Sequence, residues 1–525
     1  MNENEEDIMV KSSSDFGYRR IGINMIFSAL SFALNIFISF YITPYITSHL
    51  GSEAYGFVKL ANDFVNYASI ASVALNSMAS RFIMIERERD NIEKAQKYYS
   101  SVTVANILLS LLLMIPSVIC IIFINDWINI PPALVLEVRI TFAITFLNFC
   151  ISLATSTFGN CYFLTNRMDI SAVRTMQANI IRVGLIIALF FFFTPKISYF
   201  VIGSLASTVF SVVSNAYYHR KLTPDLKYQQ KNFDIKMIFE VLSAGIWNSV
   251  TRLSQIFTSG LDLLVTNLFI GSLEMGYLSV AKTIPNLIVT FNTTISSAFN
   301  PNMMKLYAEG DMEQLKQTSK TAMKFMCLFV TVPTAILIGL GEDFFALWVP
   351  EQPTHLINIL SILTIVNSCI TGPMQPLYQI FTITNKVRQN SIIMIIYGFA
   401  SIAVTYFLLK TTSLGLFAVA GVSLVGSIFV ALFYHLPFSA IYIGLPWYTF
   451  VPEIIKSCLS LMIQSFTVLG IHNVVGSNST WLRWFVTAFV AGILGILLNA
   501  ILILTKDERK QLITIVTNRL RRNKA

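Results

Sequence analysis

Apolar runs of about twenty residues alternate with short polar stretches from residue 21 to residue 504. A helix needs about 20 apolar residues to cross the ~30 Å hydrocarbon layer of a bilayer, and about fourteen segments meet that length. Their approximate limits are 21–47, 57–84, 100–123, 134–163, 172–193, 197–218, 239–270, 276–299, 322–341, 356–383, 391–409, 415–434, 453–474 and 481–504, numbered here as spans 1 to 14. The pattern predicts an all-α polytopic membrane protein. Composition agrees: 54% of the 525 residues are apolar and 12% charged, against roughly 45–50% and about 25% in a soluble domain. A sizeable aqueous catalytic domain is excluded.

Charge sets the expected topology, because cytoplasmic loops collect Lys and Arg. One side holds Arg87, Arg89, Lys94, Lys97, Arg167, the run from Arg220 to Lys236, and Lys305, Lys316, Lys320 and Lys324. Lys386, Arg388, Arg519, Arg521 and Arg522 follow on the same side, and the opposite loops hold little beyond Arg139, Lys196, Lys410 and Arg483. Both termini are therefore expected in the cytoplasm, and the net charge of +9 reflects topology rather than a nucleic-acid partner. The acidic opening, MNENEEDIMVKSSSDFGYRR, is the reverse of a signal peptide and reads as a tail ending in the anchor pair Arg19-Arg20. At the other end Thr505 and Glu508 spell a capping box, and Leu512, Ile515, Val516 and Leu520 give the tail an apolar, interfacial face. The six cysteines lie in or beside apolar runs with no CxxC or Cys/His cluster. Free thiols, no metal and no cofactor are expected.

A shift of about 220 residues superimposes the two halves. LGSEAYG (50–56) falls on IGSLEMG (270–276), Asn148 and Cys150 on Asn367 and Cys369, and Thr165-Asn166-Arg167 on Thr384-Asn385-Lys386. A duplicated chain of this kind predicts two six-helix lobes related by a pseudo-two-fold axis, with spans 13 and 14 outside the repeat. The expected layout is a cytoplasmic tail (1–20), a first lobe (21–218), a cytoplasmic linker (219–238), a second lobe (239–434), the last two spans (435–504) and a basic amphipathic cytoplasmic tail (505–525). Gly51, Gly56, Gly271 and Gly276 read as residues of tight outer turns.

Polar side chains at membrane depth must face protein or water. Span 7 carries Asn248, Arg252, Gln255, Ser259, Asp262 and Thr266 at helical spacing, and span 8 carries Lys282, Asn286, Thr290, Thr293, Ser297 and Asn300. Span 1 has Asn24, Ser28, Ser31, Asn35 and Ser39, and span 2 has Lys59, Asn62, Asp63, Asn66, Ser69, Asn76 and Ser80. An ionised group at the bilayer centre costs about 2.5–3.5 kcal/mol on the mildest scale, so Arg252, Lys282 and Asp262 point to a hydrated cavity. Its cations are expected to be Arg252, Lys282, Lys59 and, from the side, Arg182, although Arg182 also suits a structural, snorkelling role. Asn35, Asn66, Asn248, Gln255, Ser259, Asn286 and Thr293 would complete the polar lining. Asp63 and Asp262 suit either ion coupling or plain neutralisation of nearby cations.

LGSEAYGF (50–57), the stretch Asn76 to Arg81, SAGIWNSVTRLSQ (243–255) and LDLLVTNLFIGSLEMGYLSVAK (261–282) resemble the polysaccharide transporter family. That family lies in the multidrug/oligosaccharidyl-lipid/polysaccharide exporter superfamily and includes O-antigen and capsule repeat-unit flippases. The resemblance implies two six-helix lobes, two extra C-terminal spans and a cationic cavity lined by spans 1, 2, 7 and 8. It also implies a polyprenyl-pyrophosphate-linked oligosaccharide as substrate in a bacterial inner membrane, with membrane lipids and other polysaccharide-assembly proteins as partners of a monomeric carrier. Arg and Lys are the usual partners of phosphate. No GxxxxGK loop or Asp-x-Asp pair occurs and the five histidines are scattered, so a transporter rather than an enzyme is expected. The rivals are a multidrug or other amphiphile antiporter of the same superfamily and a membrane polysaccharide polymerase.

Overall fold

The structure, a computed structural model, describes the backbone of residues 3–165, 167–476, 480–505 and 508–509. Among these it describes side chains from residue 30 onward, apart from 31, 32, 35, 38, 259 and 301. The side chains of the anchor pair Arg19-Arg20 and of the seam residues Asn24, Ser28, Ser31, Asn35 and Ser259 thus lie outside those described, as does the apolar face of the C-terminal tail. All regular secondary structure among the described residues is helical. Eleven helical stretches are long and apolar enough to cross a membrane, so the chain is an all-α polytopic membrane protein. They are Ser39–Glu88 and ten others that coincide with spans 3 to 6 and 9 to 14.

The expected spans 7 and 8 are not continuous apolar helices. Span 7 is a helix Ile235–Gln255, a π-turn Ile256–Gly260 and a second helix Asp262–Phe269. Span 8 is Ser272–Ala281 and Thr283–Ser297, parted at Lys282. Polar residues at these levels lower the hydropathy and let the backbone ladder open where side chains and carbonyls find other partners.

The chain divides into two compact units, Met1–Gly276 and Tyr277–Ala525. The first contains α1 (Glu3–Glu88), α2 (Ile92–Ile122), α3 (Val135–Ala154), α4 (Met168–Phe192), α5 (Ser198–Leu222), α6 (Ile235–Gln255) and α7 (Asp262–Phe269). Gly51 interrupts α1 with φ +83°, a left-handed value that glycine alone adopts freely. Gly271 lies in the turn between Phe269 and Ser272, whereas two of the expected turn glycines act differently. Gly56 and Gly276, equivalent in the repeat, face each other: a Cβ on Gly276 would fall 2.5 Å from the Ser52 carbonyl carbon, and one on Gly56 3.1 Å from the Gly276 Cα. They permit close approach of two backbones rather than a turn. The stretch 219–238 is docked onto α1 and α2. Arg87 grips Asp225 with two bonds of 2.9 and 3.3 Å, Gln96 donates to the Asp225 carbonyl at 2.6 Å, and the Asp234 backbone N–H donates to Ser101 at 2.9 Å.

The second unit contains α8 (Thr283–Ser297), α9 (Asn300–Glu309), α10 (Met312–Trp348), α11 (Thr354–Ile365), α12 (Val387–Thr411), α13 (Leu416–Val430), α14 (Val451–Val475) and α15 (Trp481–Leu502). The two helices beyond the repeat, α14 and α15, are stitched to α10 by a buried amide–hydroxyl network. Asn499 donates to Thr331 at 3.0 Å, Ser460 to Asn499 at 2.6 Å, and Gln464 to Thr331 and Ser460 at 3.2 and 2.7 Å. Interhelical bonds of this type contribute about 0.6 kcal/mol each on average in a membrane. The capping box forms as expected: the Thr505 N–H donates to Glu508 Oε2 at 2.8 Å and the Glu508 N–H to Thr505 Oγ1 at 3.4 Å. Glu508 also pairs with Lys324 at 2.8 Å. Burial pushes its carboxyl up, but the bonds from Lys324 and Thr505 outweigh that and hold it below the usual carboxylate range.

Candidate functional site

The seam of span 7 is cut by the π-turn, and its lower part is zipped to α1. Gly245 presses on the Ala74 carbonyl so closely that no Cβ fits. Above and below that contact Ser249 donates to the Ile70 carbonyl at 2.7 Å and Asn248 to Ser77 at 3.0 Å. Positions 245, 249 and 252 on α6 meet 74, 70 and 66 on α1 respectively, so matched helical spacings align the two helices. Asn248, expected in a polar lining, makes an interhelical bond to Ser77. Beyond the π-turn, Thr266 is fully buried and donates to the Asp262 carbonyl at 2.7 Å. The expectation that all six residues share one water-facing edge fails there, because an extra residue in the turn rotates everything after it.

Just before the turn the two helices leave a pocket of about 310 Å³, lined by Asp63, Asn66, Tyr67, Arg252, Gln255, Ile256 and Gly260. Arg252 donates to Asn66 Oδ1 at 2.9 Å and to Gln255 Oε1 at 3.3 Å. Two neutral amide oxygens thus aim the guanidinium without cancelling its charge. Tyr67, which periodicity alone did not single out, donates its hydroxyl to the Gly260 carbonyl at 2.5 Å. A π-turn leaves carbonyls without their usual i+4 partners, and Tyr67 satisfies this one. The ring also lies within electrostatic range of both Asp63 and Asp262, so the two expected ion-coupling carboxylates flank one phenol.

Lys59 and Arg182, expected beside Arg252, are instead brought together in a second cavity of the same unit, about 430 Å³ in volume. It opens among α1, α3, α4 and α5, and its walls include Asn62, Thr145, Asn148, Phe200, Ser204 and Thr208. Arg182 stacks over Phe200 with its Cζ 4.9 Å from the ring centre, and Lys59 lies 5.2 Å from the Tyr55 ring. Asn148 and Thr145 were absent from the expected lining. The spacing Thr141, Thr145, Asn148 on span 4 is the signal that could have placed them.

In the second unit Lys282 occupies the break before α8, half-buried. Asn286, Thr290, Thr293 and Ser297 form an exposed edge of α8, while Thr283, Asn292 and Ser296 on the other face are buried. Asn292 donates to the Gly372 carbonyl at 3.2 Å. Asn286 and Thr293 thus sit on a hydrophilic edge as expected.

Comparison with known proteins adds the following. The family described as "Polysaccharide biosynthesis protein" matches residues 21–307, more than half of the chain. A relative in Bacillus subtilis (strain 168), described as the uncharacterized membrane protein EpsK, is 29% identical over 507 residues, covering 96% of this chain and 98% of the relative. Among solved structures, the lipid II flippase MurJ in an inward closed conformation aligns with a TM-score of 0.63 at 16% identity, over 91% of this chain and 97% of that one. An inward-facing multidrug resistance MATE family transporter of the MOP superfamily aligns with a TM-score of 0.62 at 15% identity, over 86% and 98%. At such identities the likeness to the solved structures is one of fold.

Proposed function

The chain belongs to the polysaccharide biosynthesis protein family, and from that premise we propose that it is a flippase. It carries a polyprenyl-pyrophosphate-linked oligosaccharide, the repeat unit of an O-antigen, capsule or exopolysaccharide, across a bacterial inner membrane by alternating access. Both termini lie in the cytoplasm and the chain works as a monomer among membrane lipids and other polysaccharide-assembly proteins. It performs no covalent chemistry on its cargo.

The observation that carries this reading is the guanidinium of Arg252, held by Asn66 and Gln255 in a polar pocket within the membrane-spanning part of the chain. The physical obstacle in flipping is moving pyrophosphate and sugars through hydrocarbon. The guanidinium, oriented by two amides and with Asp63 in the same wall, presents the geometry by which Arg binds phosphate oxygens bidentately. Lys282 supplies a point charge, and the hydroxyl and amide edge of α8 gives weak, unselective partners for sugar hydroxyls. The prenyl chain stays in lipid throughout.

The test is reconstitution with a labelled polyprenyl-pyrophosphate glycan. Arg252→Ala and Lys282→Ala should each lower translocation at least tenfold with the protein still inserted and monodisperse. Undiminished flipping by both variants would remove the phosphate-site reading. A second reading, an amphiphile antiporter, draws on Asp63 and Asp262 near Tyr67, since half-buried carboxylates suit cationic cargo. Proton-driven efflux of a cationic dye, lost in Asp63→Asn, is the outcome that would favour it.

A further inference from the structure

The cavity among α1, α3, α4 and α5 has a chemistry of its own. Two cations, Lys59 and Arg182, line it, and among the described residues no carboxylate does. Neither cation makes an ion pair among the described residues. Arg182 Nε and Asn148 Oδ1 are buried there without a hydrogen-bond partner. Arg87 of the same unit, by contrast, pairs with Asp225. A buried donor left unpaired is destabilising by about 1–3 kcal/mol, more for a charged group, and two like charges in one low-dielectric space repel. A wall that keeps both without a carboxylate is built for an anion. Phe200 fixes the Arg182 plane from one side by cation–π contact, which leaves the guanidinium edge for an oxyanion. Thr208 adds a hydroxyl to the wall, while Ser204, a helical turn before it on α5, donates its own to the Phe200 carbonyl at 3.1 Å.

We propose that this cavity is an oxyanion-binding site of the first unit, separate from the Arg252 pocket, that takes a carboxylate or phosphate group, free or carried on a sugar. At about 430 Å³ it is the size of many small-ligand pockets (roughly 300–1,000 Å³), and hydroxyl and amide walls suit a saccharide ring. The site stands whether or not the flippase reading does, because it is read from direct binding.

Full-length protein in nanodiscs is titrated with glucuronate, glucose 6-phosphate, inorganic phosphate and glucose, following heat of binding and thermal midpoint. At least one of the three anions should bind ten-fold or more tightly than glucose and raise the midpoint, with affinity falling at high salt. Tighter binding of the sugar acids identifies a sugar-borne group; equal binding of inorganic phosphate identifies the free ion. Lys59→Gln and Arg182→Gln should each weaken the anion at least tenfold, Arg182→Lys less, and Lys410→Gln, an exposed cation outside both pockets, within twofold of the parent. Should Arg182→Gln fail to give monodisperse protein, Lys59→Gln, at the half-buried edge, decides alone. Anions binding no better than glucose, or affinity unchanged in Lys59→Gln, or affinity lost in Lys410→Gln, would overturn the proposal.

Discussion

The two polar pockets of the first unit differ in one respect that governs their chemistry. The Arg252 pocket holds a cation with Asp63 in its wall, and Asp262 lies near through Tyr67. The Lys59–Arg182 cavity holds two cations and, among the described residues, no carboxylate. The first is close to neutral and can release an anion when protons or water rearrange. The second has a standing positive potential and favours retention. Placement of a single carboxylate, more than the number of cations, separates a passage from a resting site.

That contrast can be broken by exchanging the deciding groups. Asn148→Asp puts a carboxylate between Lys59 and Arg182; oxyanion affinity should drop more than tenfold, above 1.4 kcal/mol, with glucose unaffected in the same titration. Asn66→Ala removes the 2.9 Å bond that aims Arg252. Hydrogen bonds to charged groups contribute about 1.5–3 kcal/mol when buried, and this one is only partly so. Translocation should fall three- to tenfold while anion affinity at the other cavity holds. Asp63→Asn leaves the Arg252 pocket net positive; inorganic phosphate should then bind there two- to fivefold more tightly, and glycan release should slow in single-turnover flipping. Smallest is Thr145→Val, which keeps the shape and removes one cavity hydroxyl. A change under threefold in oxyanion affinity is expected, and a larger one would mean that hydroxyls rather than cations hold the ligand.

Much of this was legible before any coordinates. Twenty-residue apolar runs are a physical requirement of spanning, so expected spans 3 to 6 and 9 to 14 coincide with helices among the described residues. Arg252 and Gln255 sit three residues apart, and that spacing brings them to one pocket. The Thr505–Glu508 box depends on four consecutive residues and formed as read. What failed to show was long-range. Periodicity counts residues as if every turn were 3.6 long, so it cannot see the π-turn at Ile256–Gly260. Nor can it tell that Lys59 and Arg182, from α1 and α4, meet each other and not Arg252. That outcome depends on how four helices pack. Gly56 and Gly276 were legible as glycines but not as partners, because a close contact and a turn make the same demand on sequence.

The widened turn at Ile256–Gly260 has one more consequence. It holds a spare residue between two otherwise regular helical stretches, which works like slack in a screw thread. Sliding that slack along by a single position would advance the helix axis by only about 1.5 Å yet turn the side chains between old and new positions by about 100°. Asn248 and Ser249 would stay fastened below while the stretch above swings round. A small axial push from a bound head group could thereby be converted into rotation, with no change in the length of the chain that crosses the membrane.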